Sequence, residues 1–217
     1  MTPKPSPAVT VANAALANQY QRKTDKEHVL DNPDTYIGSV EKVDSEQWVM
    51  EHVEGEPNKT IIPKTVEYVP GLYKLFDEGV VNCRDHVIRM IQSKAENKRL
   101  VSSIDIEVDE ETGKITLTND GNGIDVAEHP EEKIWIPEMI FGHLRTSTNY
   151  DKSEKKIVGG KNGFGFKLVL IWSTWGYIET VDHTRGLKYT QTFHNNLETI
   201  DPPKITKCAK SKPYTKV

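Results

Sequence analysis

The sequence of 217 residues has only two cysteines and no long apolar run. Cys83 and Cys208 are too few for a disulfide framework and lack the spacing of metal ligands. A reducing compartment is therefore expected. No segment approaches the roughly 18 apolar residues of a membrane-spanning helix, so no membrane partner is expected. The N-terminus lacks the cationic and then apolar pattern of a signal peptide, which predicts a cytosolic or nuclear protein.

An excess of positive charge is also lacking. The formal net charge is −4 at pH 7 and the pI is about 6.0, which argues against a domain that binds nucleic acid through its overall field. The one clearly basic segment is C-terminal, and such a charge run is usually solvated. With 36% hydrophobic and 28% charged residues, the composition fits one large or two small globular domains.

Periodicity predicts most of the secondary structure. Residues 1–20 are rich in Ala, Pro and Thr and are expected to form a flexible N-terminal arm. Thr24, with Glu27 three residues on, predicts the start of a short helix that continues to Leu30. Short strands are expected around Trp48 and around residues 60–62.

A long helix is predicted from Pro70, a residue favoured in the first helical turn, to about Lys94. One face carries apolar or small side chains. They are Leu72, Phe76, Gly79, Val80, Cys83, Val87 and Met90. A second face carries Glu78, Asn82, Asp85 and Arg89 at spacings of three and four residues. The spacing alone leaves open whether this polar face meets solvent or a ligand.

Two hairpins are predicted by strict alternation. Residues 103–109 and 114–118 place Ile104, Ile106 and Val108 on one face, which is expected to be buried. Residues 177–181 and 187–193 form the second hairpin. Short helices are expected at 137–144 and 166–174, and the polar segment 146–156 has the composition of a lid.

The stretch GGKNGFGFKLVL at 159–170 concentrates glycines and a lysine before an apolar helix. Glycines and a helix start together favour binding of an anion, most often phosphate. The P-loop pattern fails, because Phe166 precedes Lys167 and Leu168 replaces the required hydroxyl. The dinucleotide fingerprint at Gly121 fails as well, because Val126 replaces its third glycine. No protein-kinase or zinc pattern is present.

With these patterns excluded, the order of several segments along the chain is the remaining signal. A helix with Glu78 and Asn82 precedes NDGNG at 119–123, a polar lid, and GKNGFGFK at 160–167. This order resembles the GHKL ATPase domain shared by gyrase, the ninety-kilodalton heat-shock chaperones, histidine kinases and MutL-type repair proteins. Within that superfamily the chain resembles eukaryotic and viral type II DNA topoisomerases. The shared stretches include PDTYIGS at 33–39, VPGLYKLFDE at 69–78, IPEMIFGHL at 136–144 and PYTKV at 213–217.

The resemblance covers nearly everything after residue 20 and implies the fold. That fold is the α+β, two-layer Bergerat sandwich over residues 21–217. Its mixed, mostly antiparallel sheet has helices on one face, and the nucleotide lies between helices and lid.

The resemblance also implies roles for particular residues. Glu78 matches the general base that orients and deprotonates the attacking water. Asn82 matches the magnesium ligand, a hard oxygen of the kind this ion prefers. Asn119 matches the residue that reads the adenine amino group, while Gly121 and Gly123 let the chain turn beneath the base.

Two further segments complete the ATP-binding set that the resemblance implies. They are Ser147, Thr148 and Asn149 in the lid, and Gly160, Lys161, Asn162, Gly163, Phe164, Gly165, Phe166 and Lys167 in a phosphate-wrapping loop whose two phenylalanines anchor it in the core. Phe166 stands where many relatives have a small residue, and His86 stands where they often have Asn. Because histidine titrates near neutrality, nucleotide affinity is expected to be mildly pH-sensitive between pH 6 and 8.

The implied function is the N-terminal gate of a type II DNA topoisomerase, with ATP and Mg²⁺ as cofactors. ATP would drive homodimerisation coupled to strand passage through double-stranded DNA, with the N-terminal arm crossing to the partner. In the family a second domain contributes a lysine to the γ-phosphate, and a DNA-cleaving module lies beyond it. Neither fits within 217 residues, so this segment alone should hydrolyse ATP weakly or not at all and should not cleave DNA. The expected location is wherever DNA is handled: the nucleus of a eukaryotic cell, or the virion or infected cell of a virus.

Two alternatives stay open. The chain could be an ATP-dependent clamp or chaperone of the same superfamily, against which the topoisomerase-like stretches speak. It could also be a non-catalytic nucleotide-binding module, against which the intact Glu78 speaks.

Overall fold

Five helices and nine strands form within residues 23–52, 59–144, 164–209 and 211–217, the parts of the chain that the computed structural model describes. The helices are α1 (Asp25–Asp31), α2 (Pro33–Tyr36), α3 (Pro70–Gln92), α4 (Ile136–Gly142) and α5 (Gly165–Ile171). The strands are β1 (Val43–His52), β2 (Lys59–Tyr68), β3 (Ile104–Asp109), β4 (Lys114–Asp120), β5 (Trp175–Asp182), β6 (Leu187–His194), β7 (Thr199–Ile200), β8 (Lys204–Lys207) and β9 (Tyr214–Lys216).

Seven strands form the main sheet in the order β3-β4-β9-β5-β6-β7, with β8 also paired to β6. Each pairing in the described part of this sheet is antiparallel. The short C-terminal strand β9 joins the two predicted hairpins, because Thr215 pairs with Asn119 on one side and with Thr180 on the other. The α+β class with an antiparallel sheet and packed helices is confirmed.

The hydrophobic core lies between this sheet and the helices. Alternate residues of β5 and β6 point inward, including Ile178, Tyr189 and Phe193, and they pack against Phe141 of α4 and Leu170 of α5. A second cluster joins Val29 and Ile37 near α1 and α2 to Leu168 and Ile171 of α5. Helix α5 therefore packs into both clusters, which holds its start in a defined place.

The helix starts follow the predicted rules. Thr24 caps α1 in a capping box, since its hydroxyl accepts from the Glu27 N–H and the Glu27 carboxylate accepts from the Thr24 N–H. Pro70 stands in the first turn of α3, and Pro137 in that of α4. The four-residue helix α2 was not predicted.

Strands β1 and β2 were predicted as short segments but are ten residues each. Among the described residues they pair with each other alone, as an antiparallel two-stranded sheet with Trp48 opposite Pro63 and Met50 opposite Ile61. The side chains of Trp48, Met50 and Ile61 are exposed.

The prediction of a buried face on the first hairpin is wrong for β3. Ile104, Ile106 and Val108 share one face but are 38%, 45% and 56% exposed. The reason is that β3 is the edge strand, and α3 packs over Leu117 of β4 instead. Leu72, placed on the apolar face of α3, is also exposed. Alternation separates two faces of an element, but it does not tell whether another element covers either one.

Candidate functional site

A cavity of about 410 Å³ lies between the helices and the main sheet. A volume in this range suits a small organic ligand. Its apolar lining includes Leu117, Ile140, Phe141 and Phe166. Its polar and charged lining residues are Asn82, His86, Arg89, Asn119, Asn122, Asp125, Lys167, Asp182, His183, Thr184 and Thr215.

Helix α3 places Glu78 and Asn82 on the same side, one turn apart, at the start of α5. The Asn82 amide Nδ2 donates to the Glu78 carbonyl at 2.7 Å, which directs the amide oxygen Oδ1 away from the helix backbone. A Cβ atom built on Gly165 would lie 3.9 Å from Glu78 Oε2 and 4.0 Å from Asn82 Nδ2. A carboxylate and an amide of α3 therefore face the chain segment that the sequence singles out for phosphate.

Lys167 brings an ammonium into the same cavity from the first turn of α5. Its side chain is buried, with the residue 4% exposed. Burial lowers the pKa of Lys167 to about 8, because the charged form loses hydration. An anionic group next to this ammonium would favour its charged form.

The two phenylalanines beside Lys167 hold the start of α5, as expected. Phe164 packs on Tyr36, with ring centroids 5.7 Å apart, and Phe166 packs edge-on against Phe141 at 5.4 Å. Phe166 and Phe164 thus belong to different hydrophobic clusters. The larger residue at 166 fills space beside α4.

Asn119 lies at the end of β4, with 6% of its surface exposed. Its Nδ2 donates to the Asp120 carbonyl at 2.8 Å, so Oδ1 is the amide atom suited to accept a hydrogen bond from a ligand. In the turn that follows, the Asn122 side chain accepts from the Arg99 N–H, and Asp120 accepts from the N–H groups of Ser102 and Ser103. These bonds hold the turn against the preceding loop.

Glycine is required at two points in this turn for different reasons. Gly121 adopts φ +91°, a conformation that other residues rarely take. Gly123 approaches β5 so closely that a Cβ atom would lie 2.0 Å from the Val181 carbonyl oxygen. The turn therefore lies directly on the sheet, at the wall of the cavity.

The polar face of α3 points into the protein. Asp85 is 2% exposed, and Arg89 lines the cavity. Burial lowers the pKa of the Arg89 guanidinium, an effect that the Asp85 carboxylate partly offsets. Asp85 is buried and Glu78 and Asn82 are half-buried, so this face is not simply a solvated surface, although part of Arg89 is exposed.

A match to a family model supports this arrangement. Residues 68–198 match the family described as histidine kinase-, DNA gyrase B-, and HSP90-like ATPase. The chain belongs to this family. An ATPase of this family binds nucleotide, so the cavity between α3, β4 and α5 is its candidate nucleotide pocket.

Curated relatives of this ATPase carry the name DNA topoisomerase 2. One from Acanthamoeba polyphaga mimivirus is 48% identical over 205 residues, which are 94% of this chain and 15% of that protein. One from Saccharomyces cerevisiae is 45% identical and is covered to 13% of its length. The chain thus spans about one seventh of the relatives it matches.

Solved structures show the same fold. The crystal structure of the ATPase region of Saccharomyces cerevisiae topoisomerase II matches with a TM-score of 0.84 and 44% identity, over 93% of this chain and 50% of that one. The 43K ATPase domain of Thermus thermophilus gyrase B matches with a TM-score of 0.57 and 20% identity, over 88% of this chain and 37% of that one. The second match shows the likeness of fold alone.

Most predicted site residues within the described part of this ATPase come together. Asn82, Asn119, Gly123, Phe164, Gly165, Phe166 and Lys167 line the cavity. Glu78 borders it through Gly79 and Gly165. Gly121 does not line it and packs against Val101 instead. Ser147, Thr148, Asn149, Gly160, Lys161, Asn162 and Gly163 lie outside the described residues.

Sequence reasoning missed Asn122 and Thr215 as lining residues. Asn122 lies inside the NDGNG stretch and could have been included. Thr215 reaches the cavity because β9 inserts between β4 and β5, and no local sequence pattern predicts that pairing.

The structure contradicts the expected pH sensitivity near neutrality. Burial and the nearby Arg89 lower the pKa of His86 to about 4, so this imidazole is neutral throughout pH 6 to 8. Nucleotide affinity in that range should therefore not depend on its titration.

The titration should instead appear in stability at acid pH. The unfolded chain binds this proton near pH 6.5 and the folded chain only near pH 4, so stability falls as the pH falls through that window. The loss should reach roughly 2–3 kcal/mol at pH 4. Denaturant unfolding at pH 7 and pH 4.5 should show this loss for the wild type and a smaller one for His86→Asn. Equal losses in the two proteins would contradict the assignment.

Proposed function

We propose that this chain is the ATP-binding and ATP-hydrolysing gate of a type II DNA topoisomerase. The observation that carries the proposal is the meeting of Glu78, Asn82 and the start of α5 within about 4 Å at one end of a cavity that also holds Lys167. The names of the relatives favour a topoisomerase over a clamp or chaperone of the same ATPase family.

The nucleotide would lie with its base near Asn119 and its phosphates near α5. Asn119 Oδ1 would accept from the adenine amino group, and Gly123 would leave room for the base. Lys167, which is buried and lines the cavity, would give the phosphates a positive charge. Thr215, which pairs with Asn119 across β9 and β4, would lie beside the base.

Magnesium fits the same end of the cavity. Asn82 Oδ1 is a hard oxygen, and Mg²⁺ takes few protein ligands beside phosphate oxygens and waters. When bound, the ion would neutralise charge on the phosphates. No group of three or more His, Cys, Asp or Glu side chains within the described residues forms a separate metal cluster.

Glu78 would act as the general base of hydrolysis. Its Oε2 would take a proton from water as the water oxygen bonds to the γ-phosphorus. The bond from that phosphorus to the β–γ bridging oxygen would break, and its electron pair would leave on ADP. The proton would then pass to solvent, which leaves ADP and phosphate as products. The buried Lys167 ammonium would stabilise the charge that develops on the phosphoryl oxygens.

The partners follow from the relatives. Double-stranded DNA and a second copy of the chain are proposed for the full-length protein. The predicted N-terminal arm, residues 1–20, lies outside the described residues. We propose neither DNA binding nor dimerisation for this segment on its own. In the described part of the chain no helix is long and apolar enough to cross a membrane.

Relaxation of supercoiled plasmid DNA by the full-length protein tests the proposal. We expect relaxation with ATP and Mg²⁺, none without ATP, and dimer closure with a non-hydrolysable ATP analogue. ATP hydrolysis without any change of DNA topology would favour a clamp or chaperone. ATP binding without hydrolysis, with DNA present, would favour a non-catalytic nucleotide-binding module.

A further inference from the structure

The carboxylate of Glu78 is held by a second residue of α3, Lys74, one helical turn earlier. The Lys74 Nζ atom lies 2.8 Å from Glu78 Oε1. The two oxygens of this carboxylate thus have different surroundings, since Oε1 is bonded to Lys74 and Oε2 faces the Gly165 backbone at the start of α5.

The hydrogen bond to Glu78 is the main interaction of the Lys74 ammonium. Its pKa is raised above the ordinary lysine value, mainly because Glu78 accepts its hydrogen bond, and Asp77 adds a longer contact at 3.4 Å. The two side chains differ in burial, as 43% of Lys74 and 18% of Glu78 is exposed. An ion pair that is open to solvent at one end and faces a cavity at the other adds little to stability. The larger consequence of this ion pair is that it orients the carboxylate of Glu78, the more buried partner.

A free glutamate on a helix samples several rotamers. A carboxylate that must take a proton from one particular water has to present one oxygen to it at hydrogen-bond distance. Holding Oε1 restricts rotation of the carboxylate and keeps Oε2 on the side of Gly165, a residue that lines the cavity. A loss of orientation of this kind lowers turnover without a matching loss in binding.

We propose that Lys74 is a positioning residue for ATP hydrolysis, which fixes the Glu78 carboxylate so that Oε2 faces the attacking water. This inference rests on the proposed role of Glu78 as general base. Lys74 acts through Glu78 and does not itself contact the reacting atoms.

The test is a double-mutant cycle in the full-length protein. Lys74→Met keeps the length of the side chain and removes the charge. We expect kcat for ATP to fall by roughly tenfold while the Kd for a non-hydrolysable ATP analogue changes by less than about twofold. Lys74→Arg, which can still donate to Oε1, should recover most of the turnover.

Non-additivity is the decisive readout. In a Glu78→Gln background, single-turnover hydrolysis should be no slower with Lys74→Met than without it, because the group that Lys74 positions is already gone. Lys42→Met is the matched control, since it removes a lysine–glutamate pair of similar length, 2.7 Å from Lys42, just before β1, to Glu67 of β2.

The outcomes separate the two ideas. An unchanged or increased kcat for Lys74→Met, or an equal fall in the Glu78→Gln background, would overturn the positioning role and leave the general base in place. Full turnover in Glu78→Gln alone would overturn the proposed base itself. A fall for Lys42→Met equal to that for Lys74→Met would show a general loss of structure and would also overturn the inference.

Discussion

Replacement of Glu78 by alanine in the full-length protein is expected to lower ATP turnover by about 10²-fold or more and to leave ATP binding nearly unchanged. This is the scale of a lost general base. Binding should survive because the side chain is not needed to hold the phosphates, which the buried Lys167 and the start of α5 face.

The measurement pairs steady-state ATP hydrolysis with equilibrium binding of a non-hydrolysable analogue. Glu67→Ala is the matched control, because Glu67 pairs with Lys42 at 2.7 Å much as Glu78 pairs with Lys74 at 2.8 Å. It lies in the β1–β2 sheet and should leave both quantities within about twofold of the wild type. Wild-type turnover in Glu78→Ala would refute the assignment.

The long helix and its site face were largely predictable from the sequence. Pro70 marks the start of α3, and the spacing of Glu78 and Asn82 places their side chains on one face. Periodicity alone could not decide what that face meets. The resemblance to the ATPase family indicated that this face meets nucleotide. The buried Asp85 and the cavity-lining Arg89 are consistent with that interpretation.

The parts that could not be predicted depend on distant pairing. Strand β9 has three residues and owes its place to two antiparallel neighbours, β4 and β5, that are far away in sequence. Its position brings Thr215 to the cavity and closes the sheet. A short strand of this kind has no internal period to detect.

Exposure is the other quantity that local patterns do not carry. Ile106 and Leu117 pair across β3 and β4 and so point to the same face, yet Leu117 is buried and Ile106 is 45% exposed. The difference lies in α3, which covers one strand and not its neighbour. The same limit applies to His86, because its lowered pKa comes from burial that the sequence does not show.

Gly123→Ala is expected to cost about 3 kcal/mol or more in the free energy of unfolding. A methyl group there would lie 2.0 Å from the Val181 carbonyl oxygen, 2.6 Å from its carbon and 2.9 Å from Thr180 Oγ1. Two of these atoms belong to the backbone of β5. This strand pairs with β6 on one side and β9 on the other, so it cannot move away from the added methyl group. The turn would have to lift off the sheet, and the cavity wall would move with it.

The expected fall in Tm is roughly 6–12 °C, with weaker ATP binding at temperatures where the protein remains folded. Gly113→Ala separates crowding from backbone strain, because Gly113 adopts φ +65° but has no atom within 4 Å of the added carbon. That variant should cost only about 1 kcal/mol, the strain of a left-handed alanine, and should bind ATP normally. A Gly123→Ala protein that melts within about 2 °C of the wild type would show that the turn does not lie against β5. The adenine of ATP would then have to pack against another part of the cavity, because the close approach of Gly123 to Val181 forms the side proposed for it.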